Sequence, residues 1–385
     1  MKLRALVLAL TVTALFPIHS VAAEVTSKSQ QTAPGVFIDT SIYLPKKTPA
    51  PAILLAHGFG GSKDSVVTEA QAFQKRGYVV MTWTARGFGK STGQISMNSL
   101  SAEIADVQQL IITLGKRKDV LQDRTGDPVV GIAGGSYGGA AALLTASQDK
   151  RIDAVVADIT WNDLSQALFP QSSSDLAEAG PFKKIWTGTF FALATLQSAY
   201  LGECGALTNE WCSAYKSAVM NGKPSSAERK LLRSVSPVSF LSSINAPTLL
   251  SQGQADSLFP LNESSQTAAV LKKNGVPLSM IWHAAGHDGG ADEKKYLQEQ
   301  YSRWFDKHLL KQEIDFPLFQ FTKTNGSISL QDSTAIPKSF TATRLPFEAE
   351  MKKLPLLAQP AAIAQSASQT ARLRIIARPA HRRVE

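Results

Sequence analysis

The chain has 385 residues, 44% hydrophobic and 18% charged, an ordinary globular balance that excludes a wholly disordered polypeptide and can bury a sizeable core. Its formal net charge is +9, but the last fifteen residues, Ala371 to Glu385, hold five arginines against one glutamate, and Lys2 and Arg4 open the chain without an acid. The excess sits largely at the two ends, which argues against a nucleic-acid-binding surface over the body of the protein.

Residues 1–23 read as a secretory signal peptide. Lys2 and Arg4 precede an apolar run from Ala5 to Phe16, and Val21-Ala22-Ala23 offers small residues before a cut at Glu24. The run is shorter than the roughly 20 apolar residues of a membrane span, and no later segment has that length and apolarity. The expected mature chain is therefore secreted, periplasmic or extracellular, without stable membrane insertion.

From Val36 onward, short β-like runs alternate with helical ones. Strands are expected at Ala52–Ala56, Tyr78–Trp83, Pro128–Ala133, Ala154–Asp158, Thr248–Ser251 and Leu278–Trp282. Helices are expected at Ala70–Arg76, Ser101–Leu114, Gly138–Ala146, Ser264–Asn274 and Glu293–Leu310. In the second of these, Ile104, Val107, Leu110, Ile111 and Leu114 recur with helical period. Apolar strands alternating with helices predict an α/β core with a mostly parallel sheet covered on both faces, over residues 24–160 and 237–312.

Residues 161–236 break that rhythm and read as an inserted helical cap. Its run Ile185 to Leu201 is apolar almost all round, so it is buried or lines a pocket. Trp161, Trp186, Phe190, Phe191 and Tyr200 fit an apolar acyl pocket and the cap's own core equally well. The two cysteines, Cys204 and Cys212, also fall here, and export makes a local disulfide the expected state. Residues 313–348 read as a short β-like extension anchored by Phe316, Phe319 and Phe321. Residues 349–385, basic and rich in Ala, Gln, Ser and Pro, are expected to be disordered. There are no internal repeats.

Chemistry concentrates in Gly134-Gly135-Ser136-Tyr137-Gly138-Gly139. This is G-x-S-x-G between an expected strand and an expected helix, the setting in which a sharp turn lifts a serine hydroxyl clear of a sheet. Side chains at 134 and 138 would collide across that turn, hence glycine at both. A serine needs a base. Of six histidines, His287 in Gly286-His287-Asp288-Gly289 lies just past the last core strand, whereas His283 ends that strand and reads as structural. The imidazole needs an acid to orient it. Asp256, in Gly253-Gln254-Ala255-Asp256 after the preceding strand, is the first choice, and Asp158 the runner-up. Asp288 is too near His287 in sequence to orient it. For a developing oxyanion, the expected donors are the N–H of Tyr137 and that of Phe59 in His57-Gly58-Phe59-Gly60-Gly61.

Two further patterns close without a site. Gly89-Lys90-Ser91 lacks the phosphate-loop glycine, since position 84 is Thr84, and Gly87-Phe88-Gly89 lacks the third glycine of a dinucleotide fingerprint, since position 92 is Thr92. His283 and His287 form H-x-x-x-H, but Gly286 spoils a helix and no carboxylate motif flanks them. No cofactor and no metal are expected.

Together, Thr84-Ala85-Arg86-Gly87-Phe88-Gly89, Gly134-Gly135-Ser136-Tyr137-Gly138-Gly139, Gln252-Gly253-Gln254-Ala255-Asp256 and Gly286-His287-Asp288-Gly289 resemble the X-prolyl dipeptidyl-peptidase and cocaine-esterase-like hydrolases of the α/β-hydrolase superfamily, over roughly Ile38 to Leu310. The resemblance implies an α/β-hydrolase fold with Ser136, Asp256 and His287 as nucleophile, acid and base. That family commonly uses as oxyanion donor a tyrosine hydroxyl from the loop after the early strand; here that loop is His57-Gly58-Phe59-Gly60-Gly61, so a backbone N–H is expected instead. The family usually also carries a full C-terminal β-sandwich, of which residues 313–348 resemble only the beginning. Three readings follow. The chain is an esterase or broad acyl hydrolase of small ester or amide substrates, a peptidase releasing short N-terminal units with Asp175 or Glu178 anchoring the amine, or a binding protein on a hydrolase scaffold. The intact triad argues against the last.

Overall fold

A computed structural model describes residues 25–170, 180–196 and 202–331. The signal segment, the tail and the candidate residues Asp175, Glu178 and Tyr200 lie outside the described residues. In chain order the strands are β1 (Val25–Ala33), β2 (Val36–Tyr43), β3 (Ala52–Ala56), β4 (Val79–Trp83), β5 (Gln122–Arg124), β6 (Asp127–Pro128), β7 (Val130–Gly135), β8 (Ile152–Asp158), β9 (Thr248–Gly253), β10 (Leu278–His283), β11 (Ala285–Gly286), β12 (Gly289–Gly290), β13 (Phe319–Thr322) and β14 (Ile328–Gln331). The helices are α1 (Val67–Arg76), α2 (Glu103–Leu114), α3 (Tyr137–Gln148), α4 (Leu164–Leu168), α5 (Lys184–Leu196), α6 (Asn209–Asn221), α7 (Ser226–Ser234), α8 (Leu261–Lys273) and α9 (Lys294–His308).

Ten strands form one sheet in the order β1-β2-β4-β3-β7-β8-β9-β10-β13-β14. The run from β4 to β13 is parallel, and antiparallel pairs close both edges. Every residue of β3, β4, β9 and β10 is buried, because helices cover both faces. One face packs on α2, α3, α8 and the cap through residues such as Val107, Leu143 and Leu271. The other packs on α1 and α9 through Phe73, Trp304 and Phe305.

Two edges differ from the sequence reading. β1, VTSKSQQTA, has no apolar alternation to announce it. It forms by pairing with β2, Val25 opposite Tyr43, and by polar bonds to α2 such as Gln30 Nε2 donating to the Gln109 carbonyl at 3.3 Å. At the other edge, β13 runs parallel to β10 and β14 returns antiparallel. The described part of 313–348 therefore completes the central sheet rather than opening a separate sandwich. Phe319 meets Trp282 edge-to-face at 5.0 Å, and Phe316 meets Trp304 at 5.2 Å. Burial of these two rings against the core fixes the extension to the sheet edge.

Helices α4 to α7 lie between β8 and β9. The apolar run in α5 is not buried all round. Ile185 and Leu196 are 83% and 81% exposed, while Ala194 is fully buried. Cys204 and Cys212 are joined by a disulfide with Cα atoms 5.6 Å apart, fastening the approach to α6 onto its first turn. Beside β4, the half-buried Arg86 makes two bonds of 2.7 Å each to the buried Asp106, bracing the loop that follows the strand.

Candidate active site

Ser136 sits between the last residue of β7 and the first of α3, with φ 56 and ψ −119. A non-glycine residue with this backbone is strained and persists only where its surroundings enforce it. They do so by close approach. A Cβ on Gly138 would stand 2.7 Å from the Ala56 carbonyl oxygen, and one on Gly134 would stand 2.5 Å from the Gly138 carbonyl carbon. Backbone packs directly on backbone at both positions.

His287 occupies the tip between β11 and β12, two residues each. Its Nε2 lies 2.8 Å from Ser136 Oγ, and its Nδ1 lies 2.6 Å from Asp256 Oδ2. A carboxylate only accepts, so Nδ1 carries the proton and Nε2 faces the serine hydroxyl as acceptor. The second Asp256 oxygen accepts the N–H groups of Leu258 and Phe259 at 3.0 and 2.8 Å. Three elements far apart in sequence thus converge at the carboxyl ends of β7, β9 and β10.

The imidazole is walled by aromatic rings. Trp186 and Phe259 both meet it edge-on, at 5.9 and 5.3 Å between centroids. Trp186 belongs to α5, which is tied down at its start. Lys183 Nζ donates to the carbonyls of Ser257 and Leu258 at 2.6 and 2.7 Å, and Trp186 Nε1 donates to Ser257 Oγ at 3.2 Å. The cap is fastened to the very loop that carries Asp256.

The Phe59 and Tyr137 N–H groups make no hydrogen bond among the described residues. In each case the carbonyl of the same peptide unit is gripped from the opposite side. Gly58 O accepts from Gly61 N–H at 3.0 Å and from His57 Nδ1 at 2.7 Å. Ser136 O accepts from Thr160 Oγ1 at 2.8 Å. A planar trans peptide directs its N–H opposite its carbonyl, so both donors point away from these grips. His57 Nε2 accepts the Ala85 N–H at 2.9 Å, which fixes the neutral Nδ1–H tautomer. Burial pushes the His57 pKa down to about 4.

His283 and Asp158 pair with each other instead, at 3.1 Å. Burial lowers the His283 pKa, but the Asp158 charge and hydrogen bond outweigh it and raise the value above the ordinary one. Among the described residues no group of three or more His, Cys, Asp and Glu could hold a metal ion, and no helix is long and apolar enough to cross a membrane.

Beside the Phe59 ring a pocket runs into the cap, lined by Phe59, Leu168, Phe182, Phe190, Phe191 and Trp211 among others. Phe59 contacts Phe190 at 5.3 Å and Tyr137 at 5.5 Å between ring centroids, so the side chain of one expected donor residue forms part of the pocket wall. The one acidic residue among its described lining, Glu228, has an oxygen 2.6 Å from the Ser225 N–H, which it accepts in the cap of α7. Of the cap aromatics singled out in the sequence, Phe190 and Phe191 line the pocket and Trp186 stands over His287, whereas Trp161 is buried against Phe259. The parts that the sequence did not signal are Trp186 and Phe259 as walls of the imidazole, the Asp288 contacts to Ser257, and Thr160.

The pattern of similarity agrees with this geometry. The model of the X-Pro dipeptidyl-peptidase (S15) family matches residues 34–289. Among curated proteins, the quorum-quenching protein AidA of Acinetobacter baumannii is 30% identical over 131 residues, 33% of this chain and 41% of that protein. An uncharacterized 31.7 kDa protein of Escherichia coli is 29% identical over 114 residues, 29% of this chain and 38% of that one. The chain thus spans well under half the length of these relatives. Among solved structures, a CocE/NonD family hydrolase from Staphylococcus aureus aligns with a TM-score of 0.57 at 16% identity, covering 85% of this chain and 62% of that one. An acylaminoacyl peptidase from Pyrococcus horikoshii aligns at 0.54 and 17%, covering 80% and 46%, and an esterase from Pyrococcus furiosus at 0.51 and 16%, covering 77% and 96%. These structures share the α/β-hydrolase fold, and with the family match they lead to one conclusion: the chain belongs to the X-Pro dipeptidyl-peptidase (S15) family of serine hydrolases.

Proposed function

We propose that this serine hydrolase cleaves carboxylic esters through an acyl-enzyme on Ser136, with His287 as general base and acid and Asp256 as the group that orients it. The carrying observation is the unbroken relay of 2.8 Å from Ser136 Oγ to His287 Nε2 and 2.6 Å from His287 Nδ1 to Asp256. Ser136 attacks the acyl carbonyl as His287 takes its proton. The oxygen, now negative, lies between the Phe59 and Tyr137 N–H groups. His287 protonates the leaving alcohol, then activates water to release the acid. No cofactor takes part.

The preference for esters over N-terminal dipeptides rests on the cap pocket. A dipeptide brings a cationic amine, which needs an unengaged carboxylate where it binds. Among the described residues the acid in this pocket is already held by the α7 cap, and the rest of the described wall is almost wholly apolar. An aliphatic or aromatic acyl group suits that lining. The family's own name favours the peptidase reading, and direct comparison of a short p-nitrophenyl ester with Ala-Pro p-nitroanilide decides between them. A higher kcat/KM for the ester supports the proposal, and a higher value for the anilide overturns it. Export to the periplasm or medium, after removal of residues 1–23, belongs to the same proposal and is supported by the cap disulfide.

A further inference from the structure

We infer that Thr160 is a positioning residue for the oxyanion-binding N–H of Tyr137, acting through the main-chain carbonyl of Ser136; this rests on Ser136 being the nucleophile. The turn that follows β8, Asp158-Ile159-Thr160, holds Ser136 at both ends. Ser136 N–H donates to the Asp158 carbonyl at 2.9 Å, and Thr160 Oγ1 donates to the Ser136 carbonyl at 2.8 Å. The Ser136 carbonyl and the Tyr137 N–H share one rigid peptide plane and point in opposite directions. The pull on the carbonyl therefore sets the direction in which the donor emerges.

The Ser136 carbonyl also accepts the Gly139 and Ala140 N–H groups at 3.0 and 3.1 Å, bonds that belong to the first turn of α3 itself. The Thr160 bond differs in kind, because it comes from another strand's end and ties the turn to the sheet. Thr160 is 6% exposed, so water does not replace its hydroxyl at low cost. The turn is also tightly set. A Cβ on Gly139 would come 2.8 Å from the Asp158 carbonyl oxygen and 2.9 Å from Thr160 Cβ.

Ile159 shows that the turn's conformation is enforced. Its φ is 36, in the left-handed region that a β-branched residue rarely enters. Its N–H is anchored on the Ser251 carbonyl of β9 at 2.9 Å. Strain of this kind is retained where the surroundings over-determine the backbone. Here it turns the Thr160 hydroxyl onto the nucleophile's peptide.

The test compares Thr160→Val, which replaces the hydroxyl with a methyl group, with Thr160→Ser, which retains the hydroxyl. Turnover of a short p-nitrophenyl ester is measured beside affinity for a trifluoromethyl ketone. Ser136 Oγ bonds to the ketone carbon, its proton passes to His287, and the hemiketal oxygen lies between the donors as in the reaction. Removing an oxyanion donor costs about 10²- to 10³-fold in kcat, so a misdirected donor should cost about 10- to 100-fold. We expect Thr160→Val to lower kcat by that factor with KM little changed, to weaken the ketone in parallel, and Thr160→Ser to restore both. If Thr160→Val does not fold, Thr160→Ala carries the same expectation. Unchanged kcat in the variant overturns the inference, and so does a kcat loss with full ketone affinity. Ser136→Ala in the same series separates the two claims. Retained turnover there sinks the nucleophile assignment, whereas its loss beside a fully active Thr160→Val sinks only the role of Thr160.

Discussion

The carboxylate of Asp288 accepts both the N–H and the hydroxyl of Ser257, at 2.5 and 2.9 Å, and so fastens the loop bearing His287 to the loop bearing Asp256. It sets the distance between the two loops that the relay bridges. Asp288→Ala should lower kcat by about 10- to 100-fold, since sub-ångström placement governs such steps, while the thermal midpoint changes little. Steady-state kinetics beside a melting curve checks this, and an unchanged kcat would remove Asp288 from the account.

Asp256→Asn tests the orientation of the base. An amide can donate to Nδ1, which favours the tautomer with its proton toward Ser136. The expected loss is about 10⁴-fold in kcat with the fold preserved. Asp158→Asn should not reproduce it, because Asp158 holds His283 and not His287. Equal losses in the two variants would put the acid in doubt.

Gly138→Ala tests the packing under the serine. The added Cβ would stand 2.7 Å from the Ala56 carbonyl oxygen, and neither backbone can yield without moving Ser136. Overpacking of this kind costs about 1–3 kcal/mol, and activity should fall with it. Denaturant unfolding of wild type and variant gives the comparison.

His57 gives a pH-dependent signature. Its folded pKa, about 4, lies below the ordinary 6.5, so the fold favours the neutral ring. Its contribution to stability is present above 6.5 and is lost as pH falls through that window toward 4, because the unfolded chain takes up the proton first. Glu103 and Glu263 are pushed up to about 7 by burial and slope the other way. The His57 effect therefore shows as a difference: the stability gap between wild type and His57→Asn should narrow by about 3 kcal/mol from pH 7 to pH 4. A gap that stays constant would contradict the buried neutral ring.

Much of the fold could be read in the sequence because its signals are local. Ala52–Ala56 is apolar throughout, since a strand buried on both faces needs it to be. The elbow could be read because it combines a strand, glycines at close approach and a helix. β1 could not, because backbone pairing and side-chain amides hold it, and these leave no hydrophobic period. The edge position of β13 was hidden for a related reason: Phe316 and Phe319 mark burial but not against what. Ser136, Asp256 and His287 were named from their loops, and the structure brings their side chains within hydrogen-bond distance. Thr160 and Ser257 join the site only through tertiary contact, since threonine and serine in loops carry no pattern that singles them out. Trp186 stands out in the sequence as an aromatic of the α5 run, but its place beside His287 comes only from the fold.

The most direct test of the central claim is hydrolysis of a short p-nitrophenyl ester by wild type and Ser136→Ala, with Ala-Pro p-nitroanilide measured alongside. The account predicts ester turnover that falls by about 10⁵- to 10⁶-fold without the hydroxyl. Turnover that survives in Ser136→Ala would contradict it.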